Sequence, residues 1–353
     1  MERQRVLVIG GGVAGMTSAL DLAERGIEVY LVDKAEKIGG QAGDYCCKAT
    51  DKCQKCSACV ALQAQAKVTD HPLIKVCTKT QVVGLSGSAG NFTVKLDCGK
   101  DCCPKGEDNT VVVQAVIVAT GFKPYRVEQK SEFGYGVHKN VVTGYDLEKA
   151  LKEKGSITAA YGDVKKIGFV QCVGSRDLQD GANSYCSRVC CMYASRLAKL
   201  IRSELPEAEL SIFYMDYQSF GKGFKTFKDD LFKTDKVQLI RGIPSKVYSF
   251  PYDRLTVRYA DSLAGKTAEE KYDLLVLSAA ITPGSESEQL AKVLGIGLDE
   301  FGFMAPKSVM ETVRTGTVGI FIAGTCQGPK DIPQTVGHAR SAAGAALAFL
   351  EMH

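Results

Sequence analysis

The chain has 353 residues, with 44 Lys and Arg against 40 Asp and Glu, and its net charge of +4 is spread rather than gathered in blocks. That excludes a nucleic-acid binder driven by a basic tail, and no apolar run approaches the roughly 18 residues that a membrane span needs. Hydrophobic residues at 45% and charged residues at 24% fit a globular chain of about two domains, and a start without a signal-peptide core predicts a cytoplasmic protein.

Two residue types stand out. Glycine supplies 36 positions, about one in ten against a usual ~7%, which favours tight turns and close ligand approach. Cysteine supplies 14, in two groups. One group runs from Cys46 to Cys103 and the other from Cys172 to Cys191, with Cys326 apart. In a reducing compartment such clustering points to metal or redox chemistry rather than a disulfide scaffold.

The opening predicts a strand at Arg5–Ile9, a glycine turn, a helix over Met16–Arg25 and a strand over Ile27–Val32 that ends at Asp33. Gly10, Gly12 and Gly15 form G-x-G-x-x-G. One glycine makes the turn, one lets the backbone reach a pyrophosphate, and one lets the helix pack on its strand. Free N–H groups at the helix start favour the phosphates, and an acid at the position of Asp33 accepts bonds from ribose hydroxyls. The pair Gly39-Gly40, the strand Ala115–Val118 before Ala119-Thr120-Gly121, and the strand Gly319–Ala323 before Gly324-Thr325 resemble the FAD side of thioredoxin and glutathione reductases. A last helix is expected from Asp331-Ile332-Pro333 to about Leu350. In that class its N-terminus faces the flavin pyrimidine, where partial positive charge stabilises reduced flavin.

A second βαβ unit follows: a strand at Lys165–Val170, a helix over Arg188–Ser203 and a strand over Glu209–Met215 before Asp216. Its turn lacks the three glycines, so tight NAD(P)H binding is not expected. Four cysteines, Cys172, Cys186, Cys190 and Cys191, occupy that turn instead. Four thiolates at a strand end and helix start suit an iron–sulfur cluster or zinc, and beside a flavin a [4Fe–4S] cluster is the expectation.

Val170–Asp177 with Tyr185–Cys191, Gly324–Pro333 and Phe220–Phe224 together resemble the A-type flavoprotein of heterodisulfide reductase over nearly the whole chain. The resemblance implies an FAD- and cluster-binding electron-transfer component, a homodimer partnered by B- and C-like subunits that handle disulfides. It implies that Gly10, Gly12, Gly15, Asp33, Lys34, Gly40, Thr120, Gly121, Gly324, Thr325, Lys330, Ile332 and Thr335 line the FAD. It also implies that Cys172, Cys186, Cys190 and Cys191 hold the [4Fe–4S] cluster. Electron-bifurcating members place a Lys near flavin N5, a few residues past the Cys-Cys pair, where this chain has Arg196. A fixed guanidinium cannot trade a proton as Lys can, so Arg196 is the candidate catalytic residue and bifurcation is not expected. Methanogen-type members carry extra N-terminal and ferredoxin-like domains, whereas this chain opens on the FAD fingerprint. It is therefore expected to resemble the shorter homologue of sulfur-oxidising bacteria, or else the flavoprotein of the sulfate reducers' quinone-interacting complex. The rival class is a free-standing NAD(P)H-dependent disulfide reductase.

Cys46, Cys53, Cys56 and Cys59, with Cys47 beside them, suit a second cluster, a zinc site or a docking loop. Cys98, Cys102 and Cys103 repeat the C-x3-C-C spacing in a polar tip, as a metal site or accessory thiols. Cys77 and Cys326 are expected to be packed, and the four histidines to be surface or satisfied polar groups. The predicted fold is α/β with two dinucleotide-binding domains. Residues 1–150 and 284–353 form the FAD domain, and a degenerate NAD(P)H-type domain, 151–283, is inserted in it.

Overall fold

The computed structural model describes residues 4–98, 109–250 and 254–352. In chain order the elements begin β1 (Arg5–Ile9), α1 (Val13–Ala23), β2 (Glu28–Val32), α2 (Cys59–Asp70), β3 (Ile74–Cys77), β4 (Thr80–Ser88), β5 (Asn91–Cys98), β6 (Thr110–Val113) and β7 (Ala115–Val118). The two-residue β8 (Lys123–Pro124) then carries the chain into a second unit. That unit holds β9 (Val141–Thr143), α3 (Gly144–Lys154), α4 (Ile157–Tyr161), β10 (Lys166–Val173), α5 (Cys190–Glu204), β11 (Glu209–Tyr214) and α6 (Phe224–Asp229). It continues through β12 (Gln238–Arg241), β13 (Lys246–Tyr248), β14 (Leu255–Asp261), β15 (Lys266–Tyr272) and β16 (Leu274–Ala279). After β17 (Ile281–Thr282) the first unit resumes with α7 (Ser287–Leu294), β18 (Ile320–Ile322) and α8 (Ile332–Leu350).

The first unit comprises Met1–Asp44, Ser57–Lys123 and Thr282–His353. Its main sheet is parallel, in the order β18-β7-β1-β2-β3. Strands covered on both faces read as continuous apolar runs, and Val6, Leu7, Val8 and all of Ala115–Val118 are fully buried. On one face α1 packs against α8, whose Ala339, Ala342, Ala343 and Ala346 are buried to the last atom. Small side chains let the helices close up, and Ser18 Oγ donates to the carbonyl of Ala339 at 3.1 Å. The other face meets Val94, Leu96, Val111 and Val113 of the antiparallel sheet β4-β5-β6, and Ala291 and Leu294 of α7.

The second unit comprises Tyr45–Cys56 and Pro124–Ile281. It repeats the theme with a parallel sheet β12-β11-β10-β16-β9 and an antiparallel sheet β13-β14-β15. The sequence places the boundary near residue 150; the packing places it at Pro124, because β9 pairs with β16 and α3 covers that sheet. The second departure is Tyr45–Cys56, a segment far upstream that packs into the second unit.

A buried charge anchors that segment. Lys48 and Glu148 form an ion pair whose side chains are 2% and 0% exposed. The Cys46 N–H donates to Glu148 Oε2 at 2.9 Å, and the Lys48 ammonium lies over the rings of Tyr45 and Tyr193, at 5.3 and 5.6 Å. Burial, then Glu148, pushes the Cys46 thiol up to about 12, so it stays protonated. Removing one member of such a pair strands the other charge, at a cost of about 3–5 kcal/mol, whereas replacing both with apolar groups is far cheaper. Lys48→Met is therefore expected to lower the urea midpoint strongly, and Lys48→Met with Glu148→Leu to recover most of the loss. Equal losses in the single and double variants would show that the pair is not the anchor.

Candidate dinucleotide site

Three turns at the carboxyl ends of β1, β7 and β18 meet in the first unit. Gly10 sits at φ +109°, and a Cβ there would lie 2.4 Å from the Ala119 carbonyl oxygen. A Cβ on Gly15 would lie 1.8 Å from the Gly10 carbonyl oxygen, so only glycine lets α1 begin so close to its strand. Gly12 differs: its Cβ position is open, with nothing nearer than the Gly40 Cα at 3.9 Å. Gly12 is also the N-cap of α1, whose first turn carries no acid and no side-chain cap, so N–H groups there are available to an anion. Asp33, at the end of β2, accepts from Gly11 N–H at 2.5 Å and from Ala35 N–H at 2.7 Å.

The other turns close on this one. Gly121, at φ +72°, would bring a Cβ 3.8 Å from Thr325 Oγ1. Gly324, at φ +74°, lies against Ala14 and Thr335. The residues Gly10, Gly12, Gly15, Asp33, Gly40, Thr120, Gly121, Gly324, Thr325, Ile332 and Thr335 thus gather in one unit around an open glycine cradle. Lys330 lies beside them, its ammonium donating to Gln327 Oε1 at 2.5 Å. An adenine dinucleotide with its pyrophosphate on α1 fits this arrangement. The α8 start is less bare than the sequence suggests. Asp331 accepts from Gln334 N–H at 2.8 Å and Gln334 returns the contact to Asp331 N–H at 3.2 Å, a capping box that places a carboxylate at the helix end. Positive charge near this end comes from Lys330.

A cavity of about 190 Å³ adjoins the glycine turn. Asp33, Lys34, Thr80–Val83, Thr120, Lys123 and the turn 284–287 line it. Residues 80–83 and 284–287 carry no sequence signal of a ligand wall, since nothing in their composition marks one. A second unmarked contributor is His338. Its Nδ1 accepts from Gly324 N–H at 2.9 Å, and Nε2 lies 3.3 Å from the Thr312 carbonyl, so the ring ties α8 to the Gly324 turn in the Nε2–H tautomer. Cys326 and Cys77 are buried and packed. Burial pushes the Cys326 thiol up to about 11.

The cysteine expectations need correction. Among the described residues no group of three or more His, Cys, Asp or Glu side chains is placed to hold a metal ion. Cys172 is the penultimate residue of β10, at φ 61°, and Cys190 and Cys191 open α5. These three are buried, and their thiols influence one another's protonation. Its two thiol neighbours, with burial, push the Cys190 thiol well up, while Cys190 draws Cys172 down and Cys191 to about 7; Cys191 Sγ also lies 3.7 Å from the Asp216 carbonyl, to which it donates when protonated. Cys186 is exposed, its sulfur accepting from Arg188 N–H at 3.3 Å. The expected [4Fe–4S] cluster on Cys172, Cys186, Cys190 and Cys191 is therefore not supported. Nor is a second one. Cys46 is turned into the core of its unit, Cys53 and Cys59 are exposed, and Cys56 is half-buried. Cys98 ends β5, and Cys102 and Cys103 lie outside the described residues.

Arg196, the candidate catalytic residue, sits on α5. Its guanidinium donates to the carbonyls of Gln54 at 3.0 Å and Lys55 at 3.4 Å, and its centre lies 6.0 Å from the Phe227 ring. Those contacts hold the Tyr45–Cys56 segment. In the second βαβ unit Asp216, at the place where an acid reads a ribose, is paired with Arg176 at 2.7 Å.

The fold is the two-domain flavoprotein architecture of the thioredoxin-reductase group. The family of pyridine nucleotide-disulphide oxidoreductases matches residues 4–166. By sequence the chain is homologous to the A-type subunits of the heterodisulfide reductases of methanogens. It is 34% identical to the second A-type iron-sulfur subunit of the CoB–CoM heterodisulfide reductase of Methanopyrus kandleri, over 98% of this chain and 64% of that protein. It is 33% identical to the A-type subunit of the H2:CoB-CoM heterodisulfide,ferredoxin reductase of Methanothermobacter thermautotrophicus, over 96% of this chain and 63% of that one. The chain thus spans just under two thirds of the length of these curated relatives. Among solved structures, thioredoxin reductase from T. acidophilum superposes with a TM-score of 0.61 at 17% identity, covering 98% of this chain and 99% of that one. The bacillithiol disulfide reductase of Bacillus cereus does so with 0.62 at 16%, covering both chains in full. At that identity the likeness is one of fold. The sequence relatives come from methanogens, and the expected tie to sulfur oxidation finds no support in them. No helix among the described residues is long and apolar enough to cross a membrane.

Two outcomes follow from the geometry. Gly15→Ala is expected to lower the melting temperature sharply and Gly12→Ala to leave it nearly unchanged, because only the first Cβ meets backbone; similar melting points would contradict the clash. His338 is held neutral chiefly by burial, with Lys330 adding to it, and titrates at about 4 rather than 6.5. Its folded value lies below its unfolded one, so the unfolded chain binds more protons between those values. Stability from this group is full above about pH 6.5 and is lost as pH falls toward 4. Urea midpoints across that range should therefore slope less in His338→Gln than in the parent, and parallel slopes would remove the effect.

Proposed function

We propose that this chain is an FAD-dependent oxidoreductase that works as the flavin-bearing component of a heterodisulfide-reductase-like assembly. In this reading it forms a homodimer and exchanges electrons with partners comparable to the B- and C-type subunits. Bound FAD would supply the two-electron and one-electron redox steps. The protein's part is to hold it: α1 receives the pyrophosphate at its uncapped start, Gly12 leaves room for its approach, and Asp33 stands at the ribose position. Lys330 places a cation beside the α8 start. What supports the partners is the homology with the A-type proteins over nearly the whole chain.

The observation that carries the FAD reading is the contrast among the glycines. Gly10 and Gly15 are needed by the fold itself, whereas Gly12 meets open space, as a residue kept small for a ligand does. A free-standing NAD(P)H-dependent disulfide reductase is disfavoured. The β10–α5 connection lacks the glycine fingerprint, and Asp216 is occupied by Arg176. The purified protein should carry close to one FAD per chain, read by absorbance and mass of the released cofactor. Gly12→Ala should fold normally yet bind FAD about tenfold more weakly, a penalty of about 1.4 kcal/mol. Parent protein that takes up no FAD, or a variant that binds as tightly, would overturn the reading. Light scattering on the parent should give twice the chain mass.

A further inference from the structure

The turn 284–287 forms one wall of the cavity beside Asp33, and two lysines from the opposite wall reach across to it. Lys34, next to the ribose-position acid, pairs with Glu286 at 2.6 Å. Lys123, two residues past Gly121, donates to Ser285 Oγ. The side chains of the ion pair are 48% and 50% exposed, which puts them at the rim rather than in the floor. The turn is a short discrete piece. Thr282 Oγ1 donates to the Lys123 carbonyl at 2.8 Å on one side, and α7 begins at Ser287 on the other. Within it Ser287 N–H closes on the Gly284 carbonyl at 3.0 Å. Glu286 is the N-cap of α7 but makes no side-chain cap, so its carboxylate is committed to Lys34 instead.

We infer that this turn is a strap over the adenosine half of the bound dinucleotide, latched by Lys34–Glu286 and Lys123–Ser285, and that unlatching limits cofactor exchange. The inference rests on the FAD reading above. A rim ion pair that shuts a passage acts on entry and exit alike, whereas a group that touches the ligand slows exit alone. Screening by salt weakens exposed pairs most, so exchange should quicken with ionic strength.

The test uses the full chain and its apoprotein with FAD as the probe. Uptake is followed by quenching of flavin fluorescence, and release by transfer to an excess of an FAD-scavenging apoprotein. Glu286→Gln should raise both rate constants by about two- to fivefold, the range of an exposed ion pair, with Kd little changed. Salt should then accelerate the parent and leave the variant alone. Ser285→Ala should act in the same direction, and the charge swap Lys34→Glu with Glu286→Lys should restore slow exchange. Unchanged rates in Glu286→Gln would overturn the strap. So would faster release with unaltered uptake, which would make Glu286 a ligand contact. Parent protein that binds no FAD at all would remove the functional reading and the strap together, an outcome distinct from both.

Discussion

The site depends on how closely backbone can approach backbone where β1 turns into α1. A Cβ on Gly15 would sit inside the Gly10 carbonyl, and one on Gly10 inside that of Ala119. With both absent, α1 starts directly off the central strand, and the turns after β7 and β18 close on it through Gly121–Thr325 and Gly324–Ala14–Thr335. The alanine stripe of α8 serves the same end at the level of side chains, since it lets that helix lie against α1 and brings its first turn to the cradle. N–H groups without intrahelical acceptors at the α1 start are the polar consequence. The fold thus makes an anion site at the place where its own packing forbids side chains.

A different force organises the second unit's upstream segment. Tyr45–Cys56 leaves the body it belongs to in sequence and is tied down by charge: Lys48 against Glu148, and Arg196 across the carbonyls of Gln54 and Lys55. A planar guanidinium suits the latter role because its several donors are fixed in one plane. Two residues at positive φ, Lys55 and Ser57, mark the end of the segment, so the return to the first unit is made through conformations that side chains resist. The charges that hold this stretch were invisible among its cysteines.

Much of the first unit was legible because its signals are local. The strands Arg5–Ile9 and Ala115–Val118 coincide with the apolar runs, and the Pro at the head of α8 marks the start of that helix. The glycine fingerprint likewise names residues that the structure gathers. What escaped was assembled by long-range pairing. The sheet β4-β5-β6 is built from half-exposed alternating strands, and β9 with α3 joins the second unit only because β16 accepts it. His338 and Glu286 act on residues 14 and 252 positions away, at which distance no spacing rule operates.

The cysteines mark where spacing and convergence part. Thiolates at short intervals are compatible with a cluster, but a cluster needs ligands aimed at one point and held as thiolates. Here the backbone takes positive φ at Cys172 and Arg188, and Cys186 lies exposed while Cys172, Cys190 and Cys191 are buried. Buried together, these thiols shift one another's protonation, with Cys190 keeping its proton while Cys172 and Cys191 are drawn down. Cys46 shows the same logic more plainly. Facing Glu148 inside the core, its thiol is driven to the neutral form, and a neutral thiol ligates poorly. Counting cysteines along the chain registers none of this, because the protonation state of Cys46 is set by its burial and by a carboxylate 102 positions distant.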